Sequence, residues 1–137
     1  MSSVNERLIL KGIKLGSVTA KVTTLYLKLS YNLIKELEEE EAKTYIYQEL
    51  LFVLRRMLKH LYVTYKIYKK VENLLLENYS FEYAKYAIKL REIIREIGYL
   101  ILTNKMLSYL TKNINIKGEN AYSFIKKILQ ERPKVNN

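Results

Sequence analysis

The chain contains no cysteine, which removes disulfides, thiolate metal sites and a cysteine nucleophile together. Aspartate is absent too: all 14 acidic residues are glutamates. There is one histidine, His60. A histidine-rich metal site, a Ser-His-Asp triad and a histidine pair for acid–base work are therefore impossible within one chain. No metal and no cofactor is expected. Glycine and proline are nearly as scarce, at four and one, too few for the turns of an all-β fold. No apolar run approaches the roughly 20 residues that span a bilayer; Tyr99 to Leu102 is typical of the longest. Glu6, Arg7, Lys11 and Lys14 interrupt any hydrophobic core that a signal peptide would need. The expectation is a soluble, cytoplasmic protein with no membrane partner.

What remains favours helices. At 137 residues and 49% hydrophobic, the chain can bury one sizeable core and has no room for a second domain. The pattern predicts an all-α, four- to five-helix up-and-down bundle over residues 1–132, with a frayed tail at 133–137. Ser3 and Glu6 read as a capping box that opens a short helix ending near Leu15. Gly16-Ser17 reads as a stop and a restart. In the next helix Val22, Leu25, Leu29 and Leu33 recur at helical spacing. That helix ends in the cluster Glu36–Glu41, and like charge at a helix C-terminus predicts a turn around Glu39–Lys43. One continuous helix over 18–77 is the alternative.

The run from Glu41 to Glu77 has neither glycine nor proline. It carries two adjacent apolar seams, one through Ile46, Leu50, Val53, Met57, His60, Thr64, Ile67, Val71 and Leu74, the other through Tyr47, Leu51, Leu54, Leu58, Leu61, Tyr65 and Tyr68. Together they are wide enough for a bundle helix packed on two sides. Ser80 reads as the next N-cap, with Tyr83, Ala87, Leu90, Ile94, Ile97, Ile101 and Leu107 inward and Gly98 a point of either close helix contact or a small bend. Asn113–Gly118 is a turn-rich linker, and Asn120–Glu131 a last short helix that stops before Pro133.

Net charge is +10, with the excess beyond residue 40. Arg55, Lys59, Tyr62, Lys66 and Lys70 recur at offsets of three and four, which places four cations and a ring on one stripe of a helix. Arg56 and Lys69 flank the stripe. No glutamate occurs between Glu49 and Glu72, so the face lacks the interleaved opposite charges of a salt-bridged surface. Such a stripe suits a phosphate backbone, and Tyr62 sits where a base can stack. Two further basic groups, Lys85, Lys89, Arg91 and Arg95, then Lys126, Lys127, Arg132 and Lys134, follow along the chain.

The segment Arg55-Arg-Met-Leu-Lys-His60-Leu-Tyr62 resembles the signature of HEPN domains, in which an arginine precedes a histidine by a few residues. Leu58 and Tyr62 occupy positions that many members fill with leucine and tyrosine. The resemblance implies metal-independent RNA cleavage at a dimer interface, with His60 as general acid or base and Arg55 stabilising charge on the phosphate. Small basic helical subunits of CRISPR effector complexes are similar in size, charge and expected fold. The leading expectation is a non-enzymatic module that binds RNA or DNA inside a larger nucleoprotein assembly. A HEPN-type ribonuclease and a self-associating structural or viral helical protein, with a homo-oligomer as partner, are the alternatives.

Overall fold

A computed structural model describes residues 3–39 and 43–134 of the chain. Its elements are α1 (Ser3–Glu39), α2 (Lys43–Glu77), α3 (Phe81–Thr103), α4 (Lys105–Thr111), β1 (Asn115–Ile116), β2 (Glu119–Asn120) and α5 (Ala121–Gln130). The fold is all-α, with one minute hairpin.

The long helices α1 and α2 run antiparallel along their whole length. Tyr26 meets His60, Thr19 meets Thr64, and Gly12 meets Val71, so the partner number falls as the other rises. This arrangement rules out one continuous helix over 18–77. The expected turn lies between the end of α1 at Glu39 and the start of α2 at Lys43; its residues 40–42, including Glu40 and Glu41, are outside the described residues.

The expected break at Gly16-Ser17 does not occur. α1 is a single helix of 37 residues, and Ser17 returns its hydroxyl to the Ile13 carbonyl at 2.8 Å, an ordinary helix-interior bond. Glycine here serves contact rather than termination. A Cβ at Gly12 would stand 2.4 Å from Val71 Cγ2, and one at Gly16 would stand 2.6 Å from Leu90 Cδ2. The missing side chains let α2 and α3 approach the α1 backbone. α1 opens at Ser3; the expected Ser3–Glu6 capping box rests on a side chain outside what is described.

The buried stripe of α1 is also not the most apolar one. Ile9, Ile13, Gly16, Ala20, Thr23, Leu27 and Ser30 face inward, whereas Leu25 is 59% exposed and Leu29 48%. Small side chains allow close packing, and the hydroxyls on this stripe are satisfied locally: Thr23 donates to the Thr19 carbonyl at 2.8 Å and Ser30 to the Tyr26 carbonyl at 2.9 Å. Thr19 and Thr64 bring their hydroxyl oxygens to 2.7 Å across the helix pair. Buried hydroxyls thus need no water.

α2 is the spine, as its width predicts. Leu50, Leu54, Met57, Leu58, Leu61 and Leu75 are fully buried between α1 on one side and α3 and α5 on the other. Tyr47, expected on the second seam, is exposed instead. Ser80 is the N-cap of α3, through its backbone conformation and without a side-chain bond. Asn104 then ends α3 and caps α4 by accepting from the Leu107 amide at 3.0 Å, so the expected fourth helix is divided in two. Leu107 is buried. A Cβ at Gly98 would meet Ile125 Cγ2 at 3.1 Å, the close contact between α3 and α5 that the sequence suggests.

The linker at Asn113–Gly118 forms a two-residue hairpin turn, with Ile116 opposite Glu119. Lys117 and Gly118 both have positive φ, 52° and 80°, the signature of a turn whose twist matches the strands. Asn120 caps α5 by accepting from the Ser123 amide at 3.1 Å. Past α5 the Lys134 amide donates to Glu72 at 3.3 Å, and residues 135–137 of the expected tail lie outside the described residues.

Candidate nucleic-acid interface

α2 turns its outer side to solvent because α1, α3 and α5 occupy the rest of its circumference. At 100° per residue, Arg55, Lys59, Lys66 and Lys70 fall within a sector of about 60°, centred opposite the buried leucines. All four are exposed, and so is Arg56 at one edge. Among the described residues, none of these five is ion-paired; the three ion pairs present involve Lys69 and Lys127 alone. Their charge is offered to water.

The hairpin extends this face. Arg55 and Lys59 border a groove of about 230 Å³ whose opposite wall is Ile114, Asn115, Ile116 and Lys117. Positive φ at Lys117 places its exposed side chain at the hairpin tip, so three cations line one shallow cleft. The sequence contains Lys117 in plain view, but only the tertiary fold brings it beside α2.

Two members of the stripe do something else. Lys69 is three-quarters buried and bonds Glu72 Oε1 at 2.8 Å, with Glu131 Oε2 at 3.8 Å. It is part of a latch, not of the open face. Tyr62 is half-buried, its ring centroid 5.4 Å from Phe124 of α5 and its outer side approached by Lys66 Nζ at 5.4 Å. Tyr62 thus packs on α5 on one side rather than standing free of the bundle. Exposed rings on this side of α2 are Tyr45, 65% exposed near its start, and Phe52, 58% exposed and covered in part by the Arg56 guanidinium 5.1 Å above it.

The later basic groups are partly structural. Arg91 donates to the Glu131 carbonyl at 2.8 Å, and Arg95 to the Ile128 and Leu129 carbonyls at 3.2 and 2.8 Å. They satisfy the free carbonyls at the C-terminus of α5, where cations also oppose the helix dipole. Lys127 pairs with Glu119 at 3.4 Å.

Beneath them lies a buried polar cluster. Tyr68 donates to Glu72 Oε2 at 2.9 Å, Tyr65 donates to Glu131, and Lys69 and the Lys134 amide complete the shell of Glu72. Burial alone would raise the Glu72 carboxyl, but the bonds from Lys69, Tyr68 and Lys134 outweigh it and hold it below its ordinary value. Burial, then the carboxylates beside them, push the Tyr65 and Tyr68 phenols well up. Every group here is engaged, and the cluster ties α5 to α2.

His60 and Arg55 are not brought together. Positions five apart on a helix project about 140° from each other. Arg55 faces the hairpin groove, whereas His60 lies against Tyr26 of α1, ring centroids 5.4 Å apart. The His60 Nδ1 is 2.8 Å from the Arg56 carbonyl, so this nitrogen carries a proton and donates.

Among the described residues no group of three or more histidine or glutamate side chains is placed to hold a metal ion. No helix there is long and apolar enough to cross a membrane. No protein-family model, no curated protein and no solved structure matches the chain.

Proposed function

We propose that the chain is a non-enzymatic module that binds the phosphate backbone of RNA or DNA along the outer face of α2, as a small subunit of a larger cytoplasmic nucleoprotein assembly. One observation carries this reading: Arg55, Arg56, Lys59, Lys66 and Lys70 are exposed together, and none has a carboxylate partner among the described residues. A face kept only for solubility would mix signs at i and i+4. The four central cations span about 22 Å of helix, a length that meets several phosphates in a row. Lys117 adds a contact from the hairpin side.

Contact mainly to the backbone follows from the same geometry. Between Arg55 and Lys70 the exposed polar side chains of the stripe are cations, the amides Gln48, Asn73 and Asn115 stand at its ends and in the hairpin groove, and Tyr62 is packed on Phe124. Affinity should therefore depend weakly on sequence. The test is the double reversal Lys59→Glu/Lys66→Glu, which alters exposed, unpaired side chains and leaves the core intact. Affinity for a 30-nucleotide RNA or DNA is expected to fall at least tenfold with unchanged circular dichroism. Equal affinity of the two proteins would remove α2 as the interface.

A further inference from the structure

The outer side of α1 is organised as carefully as its inner side. Val4, Leu8, Leu15, Val18, Leu25 and Leu29 are each about half exposed, and with Lys11 and Val22 they follow alternating steps of four and three over 25 residues. That is a heptad seam about 38 Å long. The buried seam of the same helix has the same steps, so α1 has the form of a helix packed on two opposite sides, with one side unpartnered among the described residues. Beside the outer seam, at one constant place in the seven-residue repeat, stand Arg7, Lys14, Lys21, Lys28 and Lys35. All five are exposed, and none is in an ion pair among the described residues. No glutamate occurs between Glu6 and Glu36. On the other flank Leu8 and Leu15 run into a groove of about 470 Å³ shared with Ile67, Leu74 and Lys70 of α2.

We infer that this seam is the docking site for an amphipathic helix of a partner protein, apolar at heptad spacing and acidic along its flanks. Three physical features select that occupant. The first is period: a repeat of 3.5 turns about 20° per heptad around a straight helix, roughly 70° over this length. A flat lipid surface cannot follow that rotation, whereas a second helix wound around α1 does. The second is charge. In a helix pair the positions flanking the seam face each other, so five cations in register call for acids opposite. A second copy of this chain supplies at the flanks the same cations on one side and the neutral Asn5, Gly12, Thr19, Tyr26 and Leu33 on the other, and each copy carries net charge +10. The third is the leucines themselves. A nucleic acid would neutralise the cations yet leave Leu15, Val18 and Leu25 in water, forfeiting the apolar burial that the seam offers.

The inference is independent of the α2 interface and is tested on a different face. The probe is a synthetic 28-residue peptide of four heptads, leucine and valine on its seam and glutamate on both flanks. Its counterpart carries lysine on the flanks. The full-length protein is expected to bind the acidic peptide at least thirtyfold more tightly than the basic one, with the preference fading as salt rises. The triple reversal Lys14→Glu/Lys21→Glu/Lys28→Glu should invert the preference. Leu15→Ser/Leu25→Ser should weaken the acidic peptide at least tenfold, with an unchanged melting temperature showing that the fold survives. Equal binding of the two peptides, or of neither, overturns the inference. So would uptake by phosphatidylserine-containing vesicles in preference to the acidic peptide. A dimer by sedimentation that blocks the peptide and is lost on Leu25→Ser would overturn it in favour of self-association.

Discussion

Glu72 is the one buried carboxylate among the described residues, and its neighbours make it structural. It accepts from Tyr68, Lys69 and the Lys134 amide, so removing its charge leaves Lys69 facing Glu131 alone at 3.8 Å. Glu72→Gln is expected to cost about 1–3 kcal/mol in urea unfolding, since buried partners of a charged acceptor lose their bonds. The folded carboxyl is held below its ordinary 4.5. Its stabilisation is therefore complete above that value and is lost as pH falls through the folded one. Acid unfolding of the Glu72→Gln protein should show a shallower dependence on pH below 4.5 than the parent. The phenols work in the other direction. Tyr65 and Tyr68 are raised above their ordinary 10.0, so their contribution is full below pH 10 and declines as pH rises beyond it. This cluster was not legible in the sequence, because Lys69 and Glu131 are 62 positions apart and nothing local marks Glu72 as buried.

At the scale of elements, α1 separates what composition reveals from what packing decides. A glycine-serine pair after fifteen residues looks like a helix boundary, and a leucine stripe looks like a core. Both impressions fail for one reason: the inward side of α1 was chosen for closeness, and Gly12, Gly16 and Ala20 let two other helices in. The two glycines should respond differently to a methyl group. Alanine gains about 1 kcal/mol of helix propensity at either position. At Gly12 the obstacle is the stiff β-branched Val71, with overpacking costs of roughly 1–3 kcal/mol. The 2.4 Å approach puts the cost in the upper part of that range, so Gly12→Ala is expected to destabilise by about 1–2 kcal/mol net of the propensity gain. At Gly16 the obstacle is the far end of the Leu90 side chain, at 2.6 Å, with Ile67 Cγ2 in ordinary contact at 3.4 Å, so Gly16→Ala should cost less than Gly12→Ala. Thermal melts of the two proteins distinguish these outcomes; a Gly12→Ala protein as stable as the parent would contradict the packing argument. The α2 face, by contrast, was readable from its period, because a glycine-free run with two adjacent seams has few ways to pack. Ser80 was readable as a cap for a similarly local reason.

Across the whole molecule, three helices' worth of apolar surface turns inward around α2 while cations collect outside on α1 and α2. The stripe on α2 was legible as a pattern, and its exposed members Arg55, Lys59, Lys66 and Lys70 stand where the spacing put them. Tyr62 and Lys69 lie at its edge, where Phe124 and Glu131 of the C-terminal region claim them, a contact no spacing rule contains. Lys117 joins the face for the same long-range reason. The uneven charge is a general expectation for polyanion binding, and it sets a quantitative scale: each neutralised phosphate contributes about 0.7–0.9 to the slope of log affinity against log salt.

The most direct measurement is therefore that slope, taken with single- and double-stranded 30-nucleotide RNA and DNA from 50 to 300 mM salt. Five or six phosphate contacts give a slope of about −4 to −5, and Lys→Ala at 59, 66 or 70 should each reduce its magnitude by about one while weakening all sequences alike. A slope near zero, or one that these three substitutions leave unchanged, would contradict a phosphate-binding face on α2.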